Sequence, residues 1–168
     1  AGEGNFGEKG EAGVIGEIEK IFSKMKKSGE NKKQKTVEKQ AKSQLRVKHK
    51  KTDQAHLVLG FRSYDMFHKD RFALSLLANI LGGTMSSRLF LSVRERQGLA
   101  YYVSASDDES SDSGYFSVRA GVDTDRKKIE KTVKSILKEI ASFKEKGVKE
   151  REQQQPKDNV RGKMALLL

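Results

Sequence analysis

Cysteine is missing from all 168 residues. Its absence excludes a disulfide framework, a thiolate zinc site and a cysteine nucleophile. Proline occurs once, at Pro156. No apolar run comes near the ~20 residues that a membrane-crossing helix needs, so neither such a span nor a membrane partner is expected. The opening Ala1-Gly2-Glu3-Gly4 lacks the basic-then-apolar order of a secretory signal. An initiator methionine is also missing, and the chain stops on Leu166-Leu167-Leu168, an apolar end that calls for burial. The expectation is a truncated fragment of a larger protein.

What is abundant is lysine. Lysine and arginine number 34 against 23 aspartates and glutamates, a net charge of +11 in 18.8 kDa. A chain of this size holds one domain or half of a larger one. Hydrophobic residues make up only 35% but are clustered, which leaves room for a core. Much of the basic excess lies between Lys20 and Lys51, and Met25 to Lys51 contains no aromatic residue. Nucleic-acid readers interleave such charge with aromatics or Gly-Arg. Residues 29–44 therefore read as a flexible basic linker inside a single lobe spanning 1–168, with a basic nucleic-acid-binding module as the lesser alternative.

Glycines at positions 2, 4, 7, 10, 13 and 16 cannot sustain a collagen-like helix without proline. Val14, Ile15, Ile18, Ile21, Phe22 and Met25 recur at steps of three and four and predict a helix ended by Ser28-Gly29. Two strands are expected at Leu45 to His49 and Gln54 to Phe61. The second places Ala55, Leu57, Leu59 and Phe61 on one face and His56 and Val58 on the other. His68 to Leu81 predicts a helix stopped by Gly82-Gly83 through a left-handed turn. Ser86 or Ser87 would cap a shorter helix, with Leu89, Phe90 and Val93 inward and Gly98 at its end. Ala100 to Ser106 and Gly114 to Gly121 predict a hairpin. Thr124 would cap a helix over Asp125 to Lys146, whose stripe is Ile129, Val133, Ile136, Leu137, Ile140 and Phe143. The last segment, from Glu150, is helical in pattern, and Pro156 should break or kink it. Strands arriving in pairs between helices argue for an α+β fold: an antiparallel or mixed sheet with helices packed on one face.

The three histidines, His49, His56 and His68, do not have zinc spacing, and neither His-Glu-x-x-His nor His-x-x-Glu-His occurs. His56 reads as a strand residue. Ser86, Ser87 and Ser92 lack a Gly-x-Ser-x-Gly setting and read as caps. Arg94 and Tyr101 are different. A turn at Gly98 between the last turn of a helix and the first residue of a strand would put both at one end of the sheet. There they could donate hydrogen bonds to a peptide carbonyl or its developing oxyanion. The plainer reading has Arg94 complementing the helix dipole and Tyr101 packing.

The stretch LGGTMSSRLFLSVRERQGLAYYVSAS, joined by TDQAHLVLGF (Thr52 to Phe61) and DSGYFSVRAGVDTDRKKIEKTVKSILKEI (Asp112 to Ile140), resembles the zinc peptidases of the insulinase, pitrilysin and mitochondrial processing peptidase superfamily. The resemblance runs from about Ala1 to Lys163. It implies two homologous α/β lobes around a chamber. The first lobe carries His-x-x-Glu-His and a further glutamate; the second binds no metal but supplies an arginine and a tyrosine to substrate. This sequence is similar to the second lobe. The resemblance makes Arg94 and Tyr101 the substrate and transition-state contacts and assigns Gly82, Gly83, Ser86 and Ser87 to substrate binding.

The implied function is the non-zinc lobe of a processing-type zinc metalloendopeptidase, with a non-catalytic partner subunit of a heteromeric zinc peptidase as the alternative. Zinc would sit in the missing first lobe, activating water while a glutamate moves the proton. This chain would bind no metal and hydrolyse nothing alone. The implied partners are a peptide or unfolded protein, lying extended along a sheet edge, and the zinc-bearing lobe or subunit. Nucleic acid is disfavoured, and a homodimer stays open because a bare sheet edge or face favours self-association. The implied setting is cytoplasmic, bacterial or archaeal. Two departures stand out. The glycines at 10, 13 and 16 fall where the family begins a helix, and the family's Glu-Leu-x-x-Ala-Lys reads Glu152 to Lys157 with Pro156 inside it.

Overall fold

The computed structural model describes residues 10–25, 29 and 33–166. The glycines at positions 2, 4 and 7, Ser28, and Leu167-Leu168 lie outside that set. The chain divides into two compact units, Ala1–Lys35 and Thr36–Leu168.

The first unit holds helix α1 (Gly10–Phe22). It starts four residues before the expected Val14, so the glycines at 13 and 16 fall inside it. Each costs the helix about 1 kcal/mol relative to alanine, and Ile15, Ile18 and Phe22 of its apolar stripe are exposed. The helix closes earlier than Ser28. The Ser23 N–H donates to the Glu19 carbonyl at 2.7 Å, and the Met25 N–H donates to the Phe22 carbonyl at 2.9 Å.

The second unit contains β1 (Ala55–Ser63), α2 (Arg71–Gly82), a π-helical segment (Phe90–Glu95), β2 (Ala100–Glu109), β3 (Gly114–Val122), α3 (Arg126–Lys146) and α4 (Glu150–Leu166). The three strands form an antiparallel sheet in the order β1-β3-β2. Both hairpin strands run longer than their patterns predict, and the Ser110 N–H closes the connection on the Ser113 carbonyl at 2.8 Å. The expected strand at Leu45 to His49 does not form, and Leu45 and Val47 are almost fully exposed. Alternation becomes a strand only where a neighbouring edge supplies hydrogen bonds, and no such pairing reaches these residues.

One face of the sheet carries Val103, Ala105, Phe116, Val118, Ala120 and Val122. These pack with Leu81 of α2, Leu89 and Val93 of the segment that follows it, and Ile136 of α3. Helices therefore cover one face, as an α+β fold requires. Several boundaries differ from the pattern. Helix α2 starts at Arg71 because residues 65–70 turn back on themselves, with the Phe67 N–H on Asp65 Oδ1 and the Asp70 N–H on His68 Nδ1. Helix α3 is capped by Asp125, whose side chain accepts the Lys127 N–H at 2.7 Å, and not by Thr124. Helix α4 runs unbroken through Pro156, which is buried. The missing N–H is tolerated because contacts tie the helix on either side of it. Gln155 accepts from Ser86 Oγ at 2.7 Å, and Asn159 accepts from Asn79 Nδ2 at 3.0 Å.

Candidate functional site

The loop between α2 and β2 positions the site, and it begins at Gly82-Gly83. Gly83 has φ −86°, so the helix does not end through a left-handed residue; its N–H simply donates to the Asn79 carbonyl at 2.9 Å. The glycine at 82 is required for space. A Cβ there would collide with the Ala105 N–H nitrogen and lie 2.7 Å from the Ser104 carbonyl carbon. The end of α2 thus touches the β2 backbone directly. Ser86 Oγ pairs with Thr84 Oγ1 at 3.0 Å and donates to Gln155, tethering the loop to α4. Ser87 is buried, with its N–H on the Thr84 carbonyl and its own carbonyl accepting the Leu91 N–H. Neither serine caps the next helix through its side chain.

That next helix is wound as a π-helix. The Arg96 N–H reaches the Leu91 carbonyl, five residues back, at 3.0 Å. Leu89 and Val93 are fully buried and Phe90 packs half-buried against the same core, while Arg94 is exposed. The Arg94 guanidinium lies over the Phe90 ring, 4.6 Å from its centroid. Gly98, at φ 58°, then reverses the chain. Two nested bonds close the turn, from the Gly98 N–H to the Arg94 carbonyl and from the Leu99 N–H to the Val93 carbonyl, both 3.0 Å. This is a Schellman closure made one residue wider, in step with the π winding.

Tyr101, three residues after Gly98 and the second residue of β2, is the surplus residue of a β-bulge. Ala100 registers on Val122 and Tyr102 on Gly121, so two steps in β2 match one in β3. Strict alternation would put Tyr101 and Tyr102 on opposite faces. The bulge leaves both exposed beside the buried Ala100 and Val103. Arg94 and Tyr101 therefore flank Gly98 at one end of the sheet, where Ala55, Ala100 and Val122 align. Neither has a hydrogen-bond or ion-pair partner among the described residues. Beyond Tyr101 lies Lys128, hydrogen-bonded to Asp123 at 2.7 Å. That bond and the Asp123 charge hold the Lys128 ammonium above its ordinary pKa, with Asp125 and Tyr101 adding smaller contributions. Gly82, Gly83, Ser86 and Ser87 are not gathered with this pair. They sit in the helix layer, against the middle of β2 and against α4.

Two features escaped the sequence reading. Arg88 donates to both Glu152 oxygens, at 3.2 and 2.6 Å, and to the Gly147 carbonyl at 3.0 Å, and it lies over the Phe143 ring. It joins the loop to the end of α3 and the start of α4. The Glu152 carboxyl is held below its usual pKa, chiefly by the Arg88 hydrogen bond and against the effect of burial. Second, His56 Nδ1 and the Tyr102 hydroxyl lie 3.0 Å apart across the sheet. The partners are 46 to 64 residues apart in the chain, so no local pattern signals them. Zinc does not fit the described residues. No three of His, Cys, Asp and Glu gather closely enough to hold a metal, and His56 and His68 are engaged with Tyr102 and the Asp70 backbone.

The described residues thus form an α+β lobe with helices on one face of a three-stranded antiparallel sheet. Comparison with known proteins makes the assignment specific. Residues 11–160 match the family model described as the peptidase M16 inactive domain, and the chain belongs to that family. It is 37% identical over 119 residues to an uncharacterized zinc protease of Bacillus subtilis, a match covering 71% of this chain and 29% of that protein. It is 46% identical over 72 residues to an uncharacterized zinc protease of Streptomyces coelicolor, covering 43% of this chain and 16% of the relative. The solved peptidase M16 inactive domain of Pseudomonas fluorescens superposes with a TM-score of 0.61 at 28% identity, over 66% of this chain and 27% of that one. The chain thus spans less than a third of the relatives it matches.

Proposed function

We propose that this chain is the non-zinc lobe of a processing-type zinc metalloendopeptidase and contributes substrate binding and transition-state contacts through Arg94 and Tyr101. The bulge at Tyr101 carries the reading. A bulge at a sheet end, three residues past a left-handed glycine, turns out a phenol that regular pleating would have placed elsewhere. The Tyr101 hydroxyl and the Arg94 guanidinium are both donors, and both are exposed. A scissile carbonyl oxygen gains negative charge as water adds to its carbon, and donors already in place are worth more to that oxyanion than to the ground-state carbonyl. Gly82, Gly83, Ser86 and Ser87 bear on substrate binding by fixing the loop that delivers Arg94. Zinc belongs, on this reading, to a separate zinc-bearing lobe or subunit, and the substrate is a peptide or unfolded protein. A bacterial or archaeal cytoplasm is the setting that goes with it; the relatives named above are bacterial.

The test uses the full-length peptidase that carries this lobe. Tyr101→Phe and Arg94→Ala should each lower turnover about 10- to 1,000-fold, the range for removing one oxyanion donor, with bound zinc unchanged. Full activity in both variants overturns the assignment. A full-length protein without zinc or activity, which gains activity when a zinc-bearing chain is added, would shift the role to a partner subunit.

A further inference from the structure

The open face of the sheet carries a three-strand rung at its Tyr101 end. His56 of β1 and Tyr102 of β2 both register on Gly121 of β3, which lies between them. Gly121 has no side chain, and a Cβ there would run into the Tyr102 ring, 2.7 Å from Cδ1. The ring therefore lies flat over the central strand instead of standing off it. Lying flat, its hydroxyl spans β3 and meets His56 Nδ1 at 3.0 Å, with the two ring centroids 6.2 Å apart.

This rung has a consequence for register. In an unbroken strand, residues 100 and 102 share a face. Here Ala100 is buried with Val122 in the core, while Tyr102 is tied to the opposite face. Two anchors on opposite faces, two residues apart, are compatible only if one residue between them is surplus. Tyr101 is that residue. If the Tyr102 anchor were released, Ala100 and Val103 would stay in the core, but the surplus position could pass from Tyr101 to Tyr102 and rotate Tyr101 away from its present direction.

We infer that the His56–Tyr102 hydrogen bond, laid over Gly121, is the lock that holds the Tyr101 bulge, and that His56, Tyr102 and Gly121 are positioning residues acting through Tyr101. The inference rests on the proposed role of Tyr101 in turnover, but the lock itself is testable without it. Neither His56 nor Tyr102 needs to touch substrate. Tyr102→Phe removes only the hydroxyl, His56→Phe removes the partner, and Gly121→Ala displaces the ring.

Two readouts on the full-length peptidase decide it. By hydrogen-exchange mass spectrometry, Tyr102→Phe and Gly121→Ala should exchange faster over residues 99–104, with α3 unchanged. Unchanged exchange over 99–104 in both overturns the lock, whatever the activity. By kinetics, Tyr102→Phe and His56→Phe should each lower kcat about 2- to 10-fold, the equivalent of one neutral hydrogen bond, with KM unchanged and with recovery in His56→Gln. In a Tyr101→Phe background the same substitutions should cost nothing further. Losses that add in that background overturn the positioning role. Full activity of Tyr101→Phe alone would instead count against the proposed function, leaving the exchange result to decide the lock.

Discussion

On its covered face the sheet presents Val103, Ala105, Val118, Ala120 and Val122 to Leu81, Leu89, Val93 and Ile136. On its open face the same three strands present His56, Val58, Tyr102, Ser104, Arg119 and Tyr115. Burial holds the first face: its members are almost without exposure, and each is replaceable by a neighbour of similar volume. The second face is held by pairs: His56 with Tyr102, Ser106 Oγ with Ser117 Oγ at 3.1 Å, and Arg119 with Asp108 at 3.7 Å. Each such pair is individually weak. The difference separates two tasks. The covered face keeps the lobe folded, and the open face decides where the exposed tyrosines point.

The largest effect should come from the covered face. Leu81 is fully buried where α2 meets the sheet, so Leu81→Ala should cost about 2–5 kcal/mol, read as a shift in the urea midpoint at constant m-value. A loss no greater than that of a surface alanine would mean the two faces are not distinct. A smaller loss should follow at the rim. Arg88→Ala removes the bonds to Glu152 and Gly147 and should cost about 1–3 kcal/mol. This contribution is pH-dependent. The Glu152 carboxyl is lowered in the folded state, chiefly by Arg88. Its stabilisation is therefore present above the ordinary carboxylate range and lost as pH falls through the folded value. The stability gap between the native protein and Glu152→Gln should close on acidification, and a gap that widened would contradict the pairing. The smallest effect belongs to the open face: Arg119→Ala breaks an exposed pair and should cost about 0–1 kcal/mol, less at high salt. A loss above that of Leu81→Ala would invert the comparison.

The covered face is also the part that could be read from the sequence. Leu57, Leu59, Leu77, Leu81, Leu89, Val93 and Ile136 follow from periods of two and between three and four, and each packs in or against the core. Helix α3 shows where a period runs short of information. Leu137 belongs to its apolar stripe yet is exposed, while Thr132 is fully buried because its Oγ1 donates to the Lys128 carbonyl at 2.8 Å. A hydroxyl with a local acceptor counts as apolar in effect, and hydropathy does not record that. Leu45 to His49 failed as a strand for want of a partner, a non-local fact. Gly82 ends its helix as the pattern predicts, but its contact with the β2 backbone is a non-local fact that the pattern does not carry.

The candidate site divides the same way. The positions of Arg94 and Tyr101 on either side of Gly98 are legible, since helix end, glycine and strand start are local signals. The bulge is not. Two adjacent tyrosines in Ala100-Tyr101-Tyr102-Val103 carry no mark of which one is surplus, and the answer depends on Gly121 and His56 in two other strands.

The π-helical winding and the bulge each hold one residue more than a regular helix or strand would need, one on each side of Gly98. The span from Phe90 to Tyr102 thus contains slack at two points, bounded by buried anchors, Leu89 before it and Val103 after it. A one-residue deletion there can be absorbed by relaxing either irregularity, with no displacement of the elements outside. The reach between the Arg94 and Tyr101 side chains is an adjustable length, open to change in single-residue steps while the rest of the lobe stays as it is.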